Sequence, residues 1–430
     1  MKYLPIDSKL FIENRKRFAA KMESDAIAIF QSNDLMPRNA DAQHLWRQNS
    51  DIFYLSGIDQ EESVLVLFPG CAIDNRQEVL FIKRTNEDIA IWEGHKYTIE
   101  EAREASGIQN VMWLDMMPSV LNLMIKHANT IYLNTNENDR YVHEVDYRSL
   151  RHVYETQKLF PLHTYKRSAP LMAALREIKS ATEVDLLKNA IEITSKAFRR
   201  ICKMVKPGVM EYQIEAEMIH EFLINRATGH AFEPIIASGK NSCVLHYNKN
   251  NEQLQDGDVL LLDYGAEYGM YNADLTRVLP VNGKFSPRQL EVYNAVLNIQ
   301  KAATKLLVSG NERQPYEREV GLIATEELIK IGLLTKEAVA KQDPNAPLYK
   351  KYFMHGTSHF LGIDVHDIGN YYGNKFAPGM VFTCEPGIYI REEGIGIRLE
   401  NDILITESGN INLMSNIPVE AHEVEELMKG

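Results

Sequence analysis

The stretch Asp258–Val281, DVLLLDYGAEYGMYNADLTRVLPV, decides the fold of the second half of the chain. It begins with an apolar run that ends at Asp263, passes through polar and glycine residues, and returns to a β-rich run that contains Asp274. This pattern predicts an antiparallel hairpin. With a two-residue loop at Tyr268 and Gly269, Asp263 lies directly opposite Asp274 on one face. Two carboxylates this close repel each other, so the hairpin predicts a bound cation.

A second segment, Val381–Ile405, repeats this arrangement with the sequence VFTCEPGIYIREEGIGIRLENDILI. Two β-rich runs flank a polar turn, and a two-residue loop at Glu392 and Glu393 places Glu385 opposite Glu400. The second hairpin therefore presents a second pair of carboxylates.

The segments before each hairpin begin with helix N-terminal signals. Ser180 and Glu183 form a capping box, and Ser286 and Gln289 repeat it with proline at the first helical position. The order helix, helix, hairpin therefore occurs twice, beginning near residues 180 and 286. This repetition predicts a pseudo-twofold domain whose site lies where the two hairpins meet.

Four converging carboxylates are neutralised by about two divalent cations, and oxygen ligands favour hard ions such as manganese or magnesium. One imidazole ligand shifts the choice toward manganese, iron, cobalt or zinc. The segment HGTSHFLGIDVHD carries three candidate ligands, His355, His359 and His366. Its glycines favour extended chain, and the glutamate of a helical HExxH zinc motif is missing. Spacing alone does not select one of the three histidines.

The first part of the chain alternates predicted strands and helices, which is typical of a small α/β domain. The predicted strands cover 25–30, 79–84 and 130–134, and the predicted helices cover about 9–23, 99–105 and 143–157. The pattern breaks around residues 161–170. The fold class is therefore α/β (α+β), with a small N-terminal α/β domain over residues 1–172 and the pseudo-twofold domain over residues 173–430.

Composition excludes several classes of function. The net charge of −12 disfavours a general nucleic-acid role, so we expect no nucleic-acid partner. The N-terminus has no apolar signal region and no run approaches about 18 apolar residues, so we expect neither export nor a membrane partner. Four scattered cysteines without a C-x-x-C pair are typical of free thiols in a reducing compartment, and we expect a cytoplasmic protein.

The metal-site motifs of the pita-bread metallopeptidases resemble, in order and spacing, four segments of this chain: LLDYG with ADLTR, HGTSHFLGIDVHD, TCEPGIYI and GIRLENDI. The resemblance covers about residues 173–425 and implies a pita-bread fold for this domain. It implies five metal ligands, namely Asp263, Asp274, His359, Glu385 and Glu400. It also implies that the site is lined by His246 (in EPIIASGKNSCVLHYNKN), His355, His366 and Arg398.

The N-terminal segments RQNSDIFYLSGI, which we predict as loop and strand, and IWEGH are similar to the N-terminal domain of Xaa-Pro aminopeptidases, also called aminopeptidase P. This resemblance implies a metallo-aminopeptidase that releases the first residue of peptides with proline in second position. It implies two divalent metal ions, with Mn²⁺ favoured over Co²⁺, Zn²⁺ and Fe²⁺, and a homodimer or homotetramer. His246 or His366 is expected to stabilise the oxyanion, and Glu385 to transfer the proton.

Other functions on the same fold stay open. A prolidase cuts only Xaa-Pro dipeptides and differs by whether the pocket closes over the product side. A non-catalytic module that binds peptides or proteins has lost metal ligands, and five intact ligand types argue against it and against creatinase-like hydrolysis. The link REEGI in the second hairpin is shorter than in some aminopeptidases P, which leaves the shape of the substrate rim open.

Overall fold

The computed structural model describes residues 2–141 and 144–429. The chain divides into two compact units, one of residues 3–175 and one that begins at Arg176 and includes Lys2. Helices and strands occur in both units, which confirms the α/β (α+β) fold class. Within the described ranges, no helix combines the length and the apolar character needed to cross a membrane.

The first unit is built around a six-stranded sheet. Its helices are α1 (Lys9–Ala19), α2 (Ser50–Ser56), α3 (Glu87–Glu93), α4 (Ile99–Ser106), α5 (Met117–Ile125), α6 (Arg148–Leu159) and α7 (Ala169–Arg176). Its strands are β1 (Ala26–Gln31), β2 (Pro37–Asn39), β3 (Ala42–Gln43), β4 (Val64–Leu67), β5 (Glu78–Ile82), β6 (Val111–Trp113), β7 (Thr130–Leu133) and β8 (Thr164–Arg167). The sheet has the order β6-β5-β4-β1-β7-β8, with β1 antiparallel to β4 and parallel to β7.

These elements confirm the predicted alternation of strands and helices, with shifted ends. The helix predicted over 143–157 starts at Arg148, and residues 142 and 143 lie outside the described residues. The segment predicted as loop and strand around residue 50 is instead the helix α2. The Asn49 side chain accepts hydrogen bonds from the N–H groups of Asp51 and Ile52, so a side-chain cap starts this helix.

The second unit carries two helix pairs and two long hairpins. Its helices are α8 (Ala181–Cys202), α9 (Glu211–Ile224), α10 (Pro287–Leu306), α11 (Arg313–Lys330), α12 (Lys336–Ala340) and α13 (Ala421–Met428). Its strands are β9 (Gly229–His230), β10 (Ile235–Ser238), β11 (Val259–Tyr264), β12 (Ala266–Tyr268), β13 (Tyr271–Asn272), β14 (Leu275–Pro280), β15 (Val381–Cys384), β16 (Gly387–Ile390), β17 (Ile395–Arg398), β18 (Asn401–Thr406) and β19 (Gly409–Asn412).

The predicted repeat of helix, helix and hairpin is confirmed. Ser180 caps α8 and Ser286 caps α10, and in both cases the capping box is complete. Helices α8 and α9 precede the sheet β10-β11-β14, and α10 and α11 precede the sheet β15-β18-β19. Strands β11, β14 and β15 are buried at every position rather than on alternate residues, because helices and sheets cover both of their faces.

The register of the first hairpin differs from the predicted one. Asp263 pairs with Thr276, and Tyr268 pairs with Tyr271, so the loop is Gly269–Met270. Both loop residues have positive φ, 59° and 70°, as a type I′ turn requires. Asp263 is therefore not directly opposite Asp274.

Asp263 and Asp274 are nevertheless diagonal neighbours on one face. The observed partner of Asp263 lies two residues beyond the predicted one. A shift of two residues leaves each side chain on the same face of the hairpin, because side chains alternate with a period of two. The position opposite Asp274 is Gly265, where a Cβ atom would lie 1.7 Å from the carbonyl oxygen of Ala273. Glycine thus permits the close approach of the two strands beside Asp274.

The register of the second hairpin is as predicted. Cys384 pairs with Asn401, and Gly387 pairs with Arg398, so the intervening Glu385 lies opposite Glu400. The loop between β16 and β17 spans residues 391–394 and ends at a glycine with a φ of 64°. The hairpin prediction therefore placed both glutamates correctly, although the loop is longer than two residues.

Candidate metal centre and active site

The innermost group of the site contains Asp274, His359 and Glu400. Asp274 lies between β13 and β14, and Glu400 lies between β17 and β18. The three side chains are 5%, 3% and 1% exposed, and one ligand atom of each lies within 4.8 Å of the others. Two carboxylates and one imidazole at this spacing form a donor set suited to a divalent metal.

His359 joins this group from the irregular segment between α12 and β15. Its Nε2 lies 3.5 Å from Oδ2 of Asp274 and 3.4 Å from Oε1 of Glu385. Its Nδ1 lies 2.9 Å from the carbonyl oxygen of Phe360, which only accepts hydrogen bonds. Nδ1 therefore carries the proton, and Nε2 presents its lone pair to the carboxylates, as in a metal-ligating histidine.

Burial and mutual repulsion raise the pKa of two carboxyl groups in the site. Burial raises the pKa of Asp274 well above its usual range, and Glu400, Asp263, Asp402 and Glu385 raise it further. The pKa of Glu400 is raised well above its usual range by burial and by Glu385 and Asp263. Ionised carboxylates this crowded are stable only beside a counter-charge.

Asp263 and Glu400 each present one carboxylate oxygen that is suited to binding a cation, while the other oxygen accepts a hydrogen bond. Arg398 donates to Oδ2 of Asp263 at 2.5 Å, and Thr276 donates to Oε2 of Glu400 at 2.6 Å. The other oxygens, Oδ1 of Asp263 and Oε1 of Glu400, are buried and accept no hydrogen bond from the described parts of the chain. Buried carboxylate oxygens without a donor are costly, so the residues present fit bound cations.

Arg398 is a buried cation of the site and contacts three polar groups. It donates to Oδ2 of Asp263, to the hydroxyl of Tyr389 at 2.7 Å and to Oγ1 of Thr276 at 3.2 Å. Burial alone would lower the pKa of Arg398, but Tyr389 and Asp263 raise it well above its usual range. Arg398 therefore stays charged and orients Asp263.

His355 lies at the edge of the same network. Its Nδ1 lies 2.8 Å from the carbonyl oxygen of Gly356, so its Nε2 accepts a hydrogen bond from the Tyr389 hydroxyl at 2.8 Å. Burial and the charge of Arg398 lower the pKa of His355 to about 3. His355 is therefore a neutral imidazole at pH 7, and its Nδ1 lies 3.9 Å from Oε2 of Glu385.

The two outer histidines lie on different segments. The half-buried ring of His366 stands perpendicular to that of His359, with 4.4 Å between centroids. His246 is exposed and lies close enough to His355 to contribute to the lowering of its pKa. The structure thus brings all nine residues named from the sequence into one region, with His246 at its exposed rim.

Three residues of this network were not identified from the sequence. Tyr389 bridges Arg398 and His355, and Thr276 bridges Arg398 and Glu400. The buried carboxylate of Asp402 accepts a hydrogen bond from the backbone N–H of Asp274 at 3.3 Å. Tyr389 could have been predicted from the sequence, because the correctly predicted register of the second hairpin makes Tyr389 a diagonal neighbour of Arg398.

The segment that carries the three histidines is not helical, as predicted, but it is irregular chain with bends rather than a strand, and buried ion pairs hold it. Arg176 and Lys179 both donate to the carboxylate of Asp367, next to His366, and the Lys179 contact is 3.1 Å long. Thr383 accepts a hydrogen bond from the backbone N–H of His359 at 3.1 Å. These contacts fix the backbone from which His359 and His366 project.

Comparison with known proteins identifies related sequences over nearly the whole chain. The model of metallopeptidase family M24 matches residues 185–407, and the model of the aminopeptidase P N-terminal domain matches residues 11–132. The Xaa-Pro aminopeptidase of Escherichia coli strain K12 is 34% identical, with 98% of each chain covered.

Solved structures of the E. coli aminopeptidase P share the fold. One, with the inhibitor Pro-Leu, has a TM-score of 0.88 and 32% identity over 99% of both chains. Another, substituted with zinc and in complex with product, has a TM-score of 0.87 and the same identity and coverage.

Proposed function

Because the chain belongs to metallopeptidase family M24, we propose that it is a metallo-aminopeptidase that releases the N-terminal residue from peptides with proline in second position. The observation that carries this proposal is the buried group of Asp274, His359 and Glu400, flanked by Asp263 and Glu385. The similarity to an Xaa-Pro aminopeptidase over 98% of the chain supports the substrate class. Peptides are the proposed partners, without nucleic acid or a membrane.

The five residues Asp263, Asp274, His359, Glu385 and Glu400 would hold two divalent metal ions. Such ions supply a Lewis acid for the scissile carbonyl and activate water at neutral pH. Mn²⁺ is our first choice because four carboxylates and one imidazole combine hard oxygen with nitrogen, and Co²⁺, Zn²⁺ and Fe²⁺ are alternatives. Oδ1 of Asp263 and Oε1 of Glu400 are the oxygens that Arg398 and Thr276 leave for this role.

The chain's own side chains then divide the remaining chemistry. His246 and His366 are proposed to donate hydrogen bonds to the oxyanion that develops on the scissile carbonyl. Glu385, which is partly exposed, is proposed to take a proton and pass it to the departing proline nitrogen. Arg398 and the neutral His355 keep Asp263 and Tyr389 in place.

The proline requirement follows from the chemistry of the leaving group. The nitrogen of an Xaa-Pro bond carries no hydrogen, so the site has to recognise the ring rather than an amide donor. The loop of residues 391–394 is a tight turn and leaves the rim of the second hairpin short. A short rim supports substrates that extend beyond proline, and therefore an aminopeptidase rather than a prolidase.

A panel of synthetic peptides tests this proposal. We expect Xaa-Pro-Xaa tripeptides and longer peptides to lose only their first residue in the presence of Mn²⁺. Replacement of proline by alanine, or acetylation of the α-amino group, should remove most of the rate. Product release is measured by chromatography and mass spectrometry, with a chelator-treated sample as the control. Cleavage of Xaa-Pro dipeptides without any cleavage of tripeptides would instead identify a prolidase.

The role of His366 is tested by His366→Ala. The substitution should lower kcat by about 10²–10³-fold, as is typical for a lost oxyanion donor, while metal content is unchanged. Steady-state kinetics and elemental analysis of the same sample measure the two quantities. His422→Ala, at an exposed position of α13, is the matched control and should have no effect. Loss of metal with unchanged turnover per bound ion would show that His366 only supports the ligands.

The organisation of the whole protein is part of the proposal. We propose an aminopeptidase P-like domain over residues 1–172 and a catalytic domain over residues 173–430, supported by the division of the chain after Leu175. All four cysteines are free, which supports a reducing, cytoplasmic location. We also propose a homodimer or homotetramer, which light scattering after size exclusion would test.

A further inference from the structure

The segment of residues 239–251 carries His246 at the rim of the site. It leaves the end of β10 as a short 3₁₀ turn, residues 239–243, and returns toward β11 as irregular chain. The His246 ring is exposed, so the position of this ring depends on how the backbone of the segment is held. A loop histidine contributes to catalysis only when its scaffold positions it accurately.

Glu211 holds both ends of this segment. It is the first residue of α9 and has no exposed surface. Its Oε1 accepts hydrogen bonds from the backbone N–H of Ser238, at 2.8 Å, and from the hydroxyl of Ser238, at 2.7 Å. Its Oε2 accepts from the hydroxyl of Tyr247, at 2.8 Å, and from the backbone N–H of Glu252, at 3.0 Å.

These contacts join the residue before the segment to the residue after it, and Tyr247 lies next to His246. The backbone N–H of Glu211 also donates to the carbonyl oxygen of Glu252 at 3.0 Å. Burial and the adjacent Glu211 carboxylate raise the pKa of Tyr247 to about 12, so its hydroxyl keeps the proton that it donates. Four donors on one carboxylate form a fully satisfied buried polar group.

Glu211 does not serve as the cap of its own helix. The backbone N–H of Met210 is capped by the side chain of Gln213, at 2.9 Å. The Glu211 carboxylate instead points away from α9 and binds groups that lie 27 to 41 positions further along the chain. A buried carboxylate is costly unless hydrogen bonds satisfy it, as the four donors from the segment do here.

We propose that Glu211 is a positioning residue that places His246 for stabilisation of the oxyanion. This inference rests on the proposed function, in which His246 is an oxyanion donor. Glu211 touches neither substrate nor metal ligands in this role, and it acts through Ser238, Tyr247 and Glu252. We therefore expect an isosteric substitution of Glu211, at the buried start of α9, to reduce turnover because it displaces the exposed His246.

Glu211→Gln is a sharp probe because all four partners are donors. An amide has one acceptor oxygen and one NH₂ group, which only donates. In either orientation of the amide, NH₂ faces a backbone N–H, that of Ser238 or that of Glu252, and the hydrogen bond from that N–H is lost. Backbone N–H groups cannot reverse their role as a hydroxyl can, so one end of the segment is held less firmly.

Hydrogen exchange and kinetics together test the inference. In Glu211→Gln, the amides of residues 239–251 should exchange faster, and kcat should fall by up to about 10²-fold with little change in KM, as for a catalytic group displaced by about 1 Å. In a His246→Ala background, the same substitution should leave kcat unchanged. Glu217→Gln is the matched control, because Glu217 lies on the same helix and pairs with Arg200 outside the segment.

Each alternative outcome overturns the inference at a defined point. Unchanged exchange in Glu211→Gln shows that the carboxylate does not hold the segment. An equal loss of kcat with and without His246, or no effect of His246→Ala alone, shows that Glu211 does not act through this histidine. Tyr247→Phe, which removes one of the four bonds, takes the place of Glu211→Gln if the latter does not fold. If the parent protein cleaves no peptide, the proposed function and the catalytic role of Glu211 are both refuted. Hydrogen exchange in Glu211→Gln still tests whether Glu211 holds the segment of residues 239–251.

Discussion

Asp274→Ala is expected to abolish peptide hydrolysis and to leave the fold intact. The substitution removes one of the three groups whose ligand atoms lie within 4.8 Å of one another, and with it a carboxylate whose pKa is raised by burial and by the neighbouring carboxylates. The loss of activity should exceed the roughly 10–100-fold that is typical of changes beside a metal ligand. Bound divalent metal, measured by elemental analysis, should fall in parallel.

The same substitution should stabilise the protein when no metal is present. Asp274 is buried among Glu400, Asp263, Asp402 and Glu385, so its removal relieves repulsion that a bound cation or protonation otherwise offsets. Urea unfolding in chelator should therefore give a higher free energy of unfolding for Asp274→Ala than for the parent protein.

A matched control tests whether the loss of any carboxylate, rather than that of Asp274, changes activity and metal content. Asp256 is exposed and accepts a hydrogen bond from Asn282 at 2.7 Å. Asp256→Ala removes the same charge and should change neither activity nor metal content. Full metal content with full activity in Asp274→Ala would contradict the proposed metal centre, and so would undiminished activity of the parent protein in chelator.

Arg398→Met is expected to destabilise the metal-free protein by about 3–5 kcal/mol, the cost of removing one partner of a buried ion pair. The guanidinium lies 2.5 Å from Oδ2 of Asp263 and also donates to Tyr389 and Thr276. Without it, both oxygens of Asp263 lack a donor, since Oδ1 already accepts no hydrogen bond from the described residues. The effect therefore has the opposite sign to that of Asp274→Ala.

Divalent ions should restore part of this loss, because they supply positive charge to the same carboxylates. Urea unfolding with and without Mn²⁺ measures both quantities. Arg398→Lys keeps the charge but cannot bond three groups at once, so it should give an intermediate value. Arg391→Met, at an exposed position of the adjacent loop, is the control. A loss below about 1 kcal/mol in Arg398→Met would mean that the pair contributes no more than an exposed salt bridge does.

The order of elements and the two acidic hairpins were predictable from the sequence. Capping boxes at Ser180 and Ser286 mark two helix starts, because the residues that satisfy a helix terminus are local in sequence. The alternation of side chains in a strand is equally local. It placed Glu385 opposite Glu400, and it placed Asp263 and Asp274 on one face despite an error in register.

That error arose where backbone conformation, rather than pattern, decides the turn. The sequence predicted a loop at Tyr268 and Gly269, whereas Met270 adopts a φ of 70° and the loop is Gly269–Met270. Methionine in the left-handed region is not signalled by residue type, since its strain is offset by burial within the unit, where Met270 is 2% exposed. The helix at Ser50–Ser56 was mistaken for loop and strand for a similar reason, because nearly all of its residues are buried and its apolar period is hidden.

The sequence by itself determined the fold class, the repeat of two acidic hairpins and, through resemblance to a family, the nine candidate site residues. The tertiary structure alone decided how these residues are held. Tyr389, Thr276, Asp402 and Glu211 lie far along the chain from groups that they bind, for example 27 to 41 positions in the case of Glu211. Hydrogen bonds between buried groups depend on distances of about 3 Å and on which atom carries the proton. Such distances are set only when separate strands and helices pack together, so no local pattern in the sequence records them.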